Sequence, residues 1–195
     1  YNRAKWCDPC YSLIMPVTIN GNGTVTGLTA LPDSAMSSGS IIQVVQAYKT
    51  DTFSASLATG VYSSAILTQS ITPSSASSKI LVLCTLHLTT GGDTGACGAK
   101  IQRDGSDIGV ADADGNRSRG IGGGVGGLIT GRLVSNIQMT LLDSPNSTSA
   151  LSYTTLAKHG YSGTQTIYIN RELTDDNSSR ATRFTSSLTL MEVAA

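Results

Sequence analysis

Charge and catalytic side chains are scarce in this sequence. Only 13% of its 195 residues are Asp, Glu, Lys or Arg, the formal net charge is zero, and there are two histidines, four cysteines and one tryptophan. A neutral chain exerts no long-range attraction on nucleic acid or on an anionic membrane, so neither is expected as a partner. No apolar run approaches the roughly 20 residues of a membrane-spanning helix, and no membrane insertion is expected. With so few imidazoles, acid–base and nucleophilic catalysis have little to draw on.

Small and β-branched residues are plentiful instead. Glycine contributes 21 residues, and Ser with Thr make up about a quarter of the chain, a mixture that favours strands and turns over helices. From Ile41 onward, short apolar runs alternate with Gly, Ser, Asp and Asn clusters, the spacing of an all-β sandwich or barrel. In Leu133–Leu141 the odd positions are mostly apolar and the even ones polar, which buries one face of a strand. Comparable runs cover 41–49, 61–72, 79–88, 96–103, 150–157, 165–171 and 184–193. The run 79–88 is apolar on both faces through Cys84, which predicts a central strand covered on two sides. Asp104-Gly105 predicts a two-residue type I′ hairpin. Turns are expected at Thr72–Ser75 and Asp143–Asn146, and Gly120–Gly131 is expected to be a flexible loop whose glycines cannot fill a core.

The chain is expected to comprise an upstream extension or linker, residues 1–14, an extended Gly/Ser/Thr-rich arm, 15–40, and the sandwich domain, 41–195. Arg3 and Lys5 precede a short apolar stretch, Leu13-Ile14-Met15-Pro16-Val17, but Asp8, Pro9 and the brevity of that stretch argue against a signal peptide. Met15 is expected to be the natural start. The arm has two open readings, packing on a neighbouring subunit or a loosely ordered leader.

Each chemical motif has a simpler reading beside it. Cys7-Asp8-Pro9-Cys10 has the spacing of a redox dithiol or half a zinc site, but the other cysteines are distant and no further ligands accompany it. Disulfide, metal and incidental pair all stay open. Cys84 and Cys97 are expected to oppose each other across a hairpin centred on Thr90-Gly91, as two buried thiols rather than a bond, since directly opposed cysteines strain the disulfide dihedral. Gly122–Gly127 satisfies GxGxxG formally but lacks the strand, helix and acidic residue of a dinucleotide site. Asp112-Ala113-Asp114-Gly115-Asn116 resembles the opening of a calcium loop, yet Arg117 and Gly123 stand where Gly and Glu belong, leaving a polar turn or an irregular Ca²⁺ site. His87 is expected to be a satisfied core residue and His159 a turn residue. Asp175-Asp176 reads as solvated loop, and Arg117, Arg119 and Arg132 as ordinary surface. No catalytic, cofactor-binding or metal residue is assigned, and no enzyme activity or cofactor is expected.

From Met15 to the end, specific phrases resemble virion structural proteins of tailed phages of marine bacteria, cyanophages especially. They include Met15-Pro16-Val17-Thr18-Ile19-Asn20-Gly21, Gln43-Val44-Val45-Gln46, Ile71-Thr72-Pro73-Ser74-Ser75, Leu142-Asp143-Ser144-Pro145, Thr166-Ile167-Tyr168-Ile169-Asn170-Arg171 and Leu190-Met191-Glu192-Val193-Ala194-Ala195. The resemblance implies an antiparallel, jelly-roll-like β-sandwich that assembles as a homotrimer in a tail fibre or other appendage. It also implies other virion proteins and a host-surface glycan or receptor as partners. Loops 111–131, 143–149 and 172–183 are the expected recognition elements. A secreted or cell-surface carbohydrate-binding sandwich of non-viral origin is the competing reading.

Overall fold

Alternating inward apolar and outward polar residues build an antiparallel β-sandwich from Ser37–Ala195, the larger of the chain's two compact units. The computed structural model describes residues 18–19, 25–26, 36–91, 95–126 and 132–195. Residues 1–14, with Cys7 and Cys10, lie outside the described residues. In the smaller unit, Tyr1–Met36, β1 (Thr18–Ile19) and β2 (Val25–Thr26) form an antiparallel ladder with Thr18 opposite Thr26. No helix occurs among the described residues.

The strands of the sandwich are β3 (Ile41–Lys49), β4 (Phe53–Leu57), β5 (Leu67–Ile71), β6 (Lys79–Thr90), β7 (Gly95–Arg103), β8 (Ser106–Ile108), β9 (Gly122–Gly126), β10 (Ser135–Asp143), β11 (Leu151–His159), β12 (Gln165–Ile169) and β13 (Ser186–Val193). One sheet has the order β3-β13-β6-β12-β4, with β10 also pairing β6. The other has the order β5-β11-β7-β8, with β9 also pairing β7. The chain passes repeatedly between the two sheets, which gives the jelly-roll-like character.

β6 is central, as its apolar run predicts. It hydrogen-bonds β13 and β12 along one edge and β10 along the other. Ile80, Val82, Cys84, Leu86 and Leu88 point inward and are buried, whereas Leu81, Leu83, Thr85 and His87 are half-buried on the outer face. The expectation of full cover on both sides therefore holds for one face only. Across the interior these residues join Ile101, Ile137, Met139, Tyr153, Ile167, Leu188 and Leu190 in one core cluster. Each fully buried side chain of this size contributes roughly 1.5–3 kcal/mol. β13 lies between β3 and β6, so the last strand is an interior strand.

The expected hairpin turn forms, while several strand limits differ from the sequence pattern. Asp104 (φ 49°) and Gly105 (φ 81°) both adopt positive φ between β7 and β8, the type I′ requirement. The run at 61–72 becomes a strand only from Leu67, because 61–66 is irregular and reaches β11 through Ser63 N to Ala157 O and Ile66 N to Thr155 O. The run at 133–141 shifts to Ser135–Asp143, leaving Leu133 exposed. β4, with Phe53, Ala55 and Leu57 facing inward, was not among the expected strands.

Two expectations are corrected. The predicted hairpin at Thr90-Gly91 does not form, because β6 and β7 belong to opposite sheets. Cys84 and Cys97 therefore do not oppose each other in neighbouring strands. Both thiols are free and buried. The glycine-rich stretch is also not simply a loop, since Gly122–Gly126 forms β9 and pairs with β7. The two sheets converge here. A Cβ on Gly124 would lie 2.7 Å from Ser135 Cβ, and one on Gly122 would lie 2.8 Å from Ile137 Cγ2, both on β10. Only glycine lets the β9 backbone approach that closely.

Buried carboxylates pin the loops. Glu192 on β13 accepts hydrogen bonds from Gln43 Nε2, Ser74 N (2.8 Å) and Ser74 Oγ (2.7 Å), tying the β5–β6 loop to the sheet. Burial alone would raise its pKa, but the hydrogen bonds outweigh it and hold the carboxyl below the ordinary 4.5. Asp143 likewise accepts from Tyr153 Oη at 2.7 Å and from Arg103.

Gly124→Ala is expected to lower stability by about 1–3 kcal/mol through overpacking, read as a shift in the urea midpoint. Gly91→Ala, where the nearest atom would be 3.5 Å away, serves as the mild control, and equal effects would contradict the convergence argument. For Glu192, the depressed folded pKa adds stability above the unfolded value, lost as pH falls through the folded one. Wild type should therefore lose stability below about pH 4.5 more steeply than Glu192→Gln, measured by denaturation across pH.

Candidate functional site

Two surface features stand out, one on the outer face of each sheet. On the five-stranded sheet, Lys158 of β11 lies beside Gly98 of β7, which lies beside Gly123 of β9. These outward positions lack side chains next to the lysine, so the pleat leaves a trough. Its cavity measures about 320 Å³, with Tyr62, Ser118 and Gly160 among the residues around it. The Tyr62 hydroxyl donates to the Arg119 carbonyl at 2.6 Å, which fixes the ring at the mouth. Lys100 Nζ sits 4.4 Å from the ring centroid and Lys158 Nζ 5.9 Å away. Lys100 also pairs with Asp107 at 2.7 Å. Burial lowers the Lys158 pKa from its ordinary 10.5, because the ammonium is partly desolvated. For Tyr62 burial, then the Asp107 charge, raises it.

The outer face of the six-stranded sheet is different in kind. Cross-strand registry aligns Val44, Met191, Leu81 and Leu142 in one row over four strands. Val44 is 54% exposed and Leu142 52%. The adjoining rows are Gln46, Thr189, Leu83 and Thr140, then Tyr48, Ser187, Thr85 and Gln138. None of these side chains carries a charge. Gln46 Nε2 donates to Thr189 Oγ1 at 2.7 Å and Tyr48 Oη to Thr185 Oγ1 at 2.9 Å, so the polar rows are internally bonded.

Neither histidine has its expected place. His159 is fully buried at the end of β11, with Nδ1 accepting from Tyr161 N at 3.2 Å and Nε2 donating to the Leu57 carbonyl at 2.8 Å. Both ring nitrogens are spent structurally, in the tautomer protonated at Nε2. His87 is only half-buried on the outer face of β6, its Nδ1 2.8 Å from the Thr185 carbonyl and its ring stacked on Phe184 at 5.1 Å. The strand pattern had suggested otherwise because His87 lies among apolar residues, but it occupies the outward parity. Neither ring is hydrogen-bonded to a serine hydroxyl among the described residues.

The loops are built from ion pairs. Asp112–Asn116 forms an exposed turn in which Gly115 has φ 55° and Asp114 pairs with Arg117 at 2.8 Å. Asp175 and Asp176 are not merely solvated. Asp175 pairs with Arg171 and Arg183, while Asp176 and the buried Glu172 share Arg132 at 2.9 Å each. Arg117 and Arg132 are thus neutralised locally, and Arg119 Nε is hydrogen-bonded to the Ala111 carbonyl. The three form no continuous basic track. The predicted recognition loop 111–131 is interrupted by β9. No group of three or more His, Cys, Asp or Glu able to hold a metal occurs among the described residues.

No protein-family profile matches the chain, and no curated protein matches it. Solved structures similar to it include those of infectious bursal disease virus. The Gt strain structure aligns with TM-score 0.43 and 16% identity over 92% of this chain. The VP2 subviral particle aligns with TM-score 0.42 and 18% identity over 86%. The chain spans less than half the length of these matched chains, 47% and 43% respectively.

Burial pushes the Cys84 thiol up to about 12 and raises that of Cys97 as well. In native protein at about pH 8 both are expected to resist iodoacetamide, and to react once guanidinium unfolds the chain. Peptide mass mapping separates them from Cys7 and Cys10. Native-state alkylation of Cys84 at the rate of an unfolded peptide would contradict the core assignment.

Proposed function

We propose that this chain is a non-enzymatic structural module of a virus particle, an appendage component of a tailed phage, which associates with copies of itself through the outer face of its six-stranded sheet. The observation that carries this reading is the uncharged row Val44–Met191–Leu81–Leu142, unburied in the protomer. Contiguous exposed apolar surface of this kind marks an interaction site. A second copy is the occupant that fits best. It brings an equally neutral surface, so association desolvates no formal charge, and a chain of zero net charge does not repel its own copies. Closed symmetry would also cover the β3 edge strand, which would otherwise remain open to unspecific pairing.

The phrases from Met15 to Ala195 support the virion setting and a homotrimer in particular. Other virion proteins are the further partners this reading implies, and the loops at 143–149 and 172–183 are the surfaces that would meet them or a host-surface glycan.

Sedimentation of the full chain at about 50 µM, where even a modest interface of micromolar affinity is occupied, is expected to give a trimer. Val44→Asp with Leu142→Asp, both at exposed positions, should give a folded monomer. A monomeric wild type, or a double variant that still sediments as the wild type does, would overturn the proposal.

A further inference from the structure

We infer a second, independent site: the trough around Lys158 binds a compact oxyanion, a carboxylate or sulfate group, with the Lys158 ammonium as its counter-charge. The argument starts from the other cations. Six Lys or Arg side chains are half-buried among the described residues, and five have a carboxylate partner: Lys49 with Asp51, Lys100 with Asp107, Arg103 with Asp143, Arg132 with Glu172 and Arg171 with Asp175. Lys158 is the sixth, and among the described residues no carboxylate pairs with it.

Its surroundings leave room for one. Gly98 and Gly123 continue its cross-strand row without side chains, and a Cβ on Gly98 would lie 3.4 Å from Lys158 Cε. The lysine stem thus lies against Gly98 on the wall of the trough. The cavity of about 320 Å³ is at the small end of ligand sites, roughly 300–1,000 Å³, and suits a single small group. The Tyr62 ring is already flanked by Lys100 at 4.4 Å and by Lys158 at 5.9 Å, so it is a poor platform for stacking a neutral sugar. Charge is what the trough has to offer. Partial burial, which lowers the Lys158 pKa, also means that an incoming anion meets the ammonium in less water, where the attraction is stronger.

Two sources share this chemistry, an acidic sugar and a free inorganic anion. Amide chemical shifts of the full chain are followed while sodium glucuronate, sodium sulfate or glucose is added at constant ionic strength, to about 50 mM, well above a dissociation constant of ~1 mM. Saturable shifts at Gly98, Gly123 and Lys158 with at least one anion are expected, and none with glucose. Stronger binding of glucuronate identifies an acidic sugar, and equal or stronger binding of sulfate identifies a free anion; both uphold the site. Lys158→Gln should weaken binding at least about tenfold, and Lys158→Arg should retain it in part. Absence of saturable shifts, an unchanged constant in Lys158→Gln, or glucose binding as tightly as glucuronate would overturn it. The trough lies on the opposite sheet from the proposed assembly face, so the monomeric double variant tests it separately.

Discussion

The pairing of β6 with three strands is the interaction on which the rest of the sandwich depends. Its ladder with β13 and β12 on one edge and β10 on the other brings together segments far apart in the chain. Its inward side chains, Ile80 through Leu88, fill the centre of the core. Burial of that one face decides the register of every neighbour, because a slip of one residue would turn Leu188, Leu190, Ile137 or Met139 outward. The same parity decides what the outer face carries, including the row that ends at Val44 and Leu142. The surface proposed for assembly is thus a by-product of the register that builds the core.

The sheets diverge in what they show to solvent. One presents uncharged apolar and amide-bearing rows, and the other presents a lysine beside two glycines. At the β9–β10 corner the sheets come so close that glycine is obligatory on the inner side, and the same bare strand opens the trough on the outer side through Gly123. Packing and surface shape are therefore coupled through one short segment.

Much of the strand pattern was legible residue by residue. The limits of β3 agree with the run 41–49, and the Asp104-Gly105 turn follows from the positive φ that its partner strands demand. Errors arose where local pattern is silent about which sheet a strand joins. Cys84 and Cys97 flank a short connection whose local pattern reads as a hairpin, and only the placement of β6 and β7 in different sheets overrules it. Glycines in β9 carry no apolar signature, so nothing marked them as a strand until β7 and β10 were placed around them. Neighbouring residue types do not reveal parity, so the pattern around His87 and His159 does not tell which ring faces the core. The Lys158 trough left no trace in a motif, since its parts come from β7, β9, β11 and the Tyr62 loop.

By itself the sequence determined the class of structure: sparse charge, abundant β-branched and small residues and period-two alternation suffice for an antiparallel sandwich, because they state which face of each strand avoids water. Tertiary structure alone decided which strands are neighbours, which histidine is buried and which acid meets which arginine. Those outcomes depend on contacts between residues tens of positions apart, and the free energy of such contacts is fixed by packing in space rather than by the order of residues along a strand.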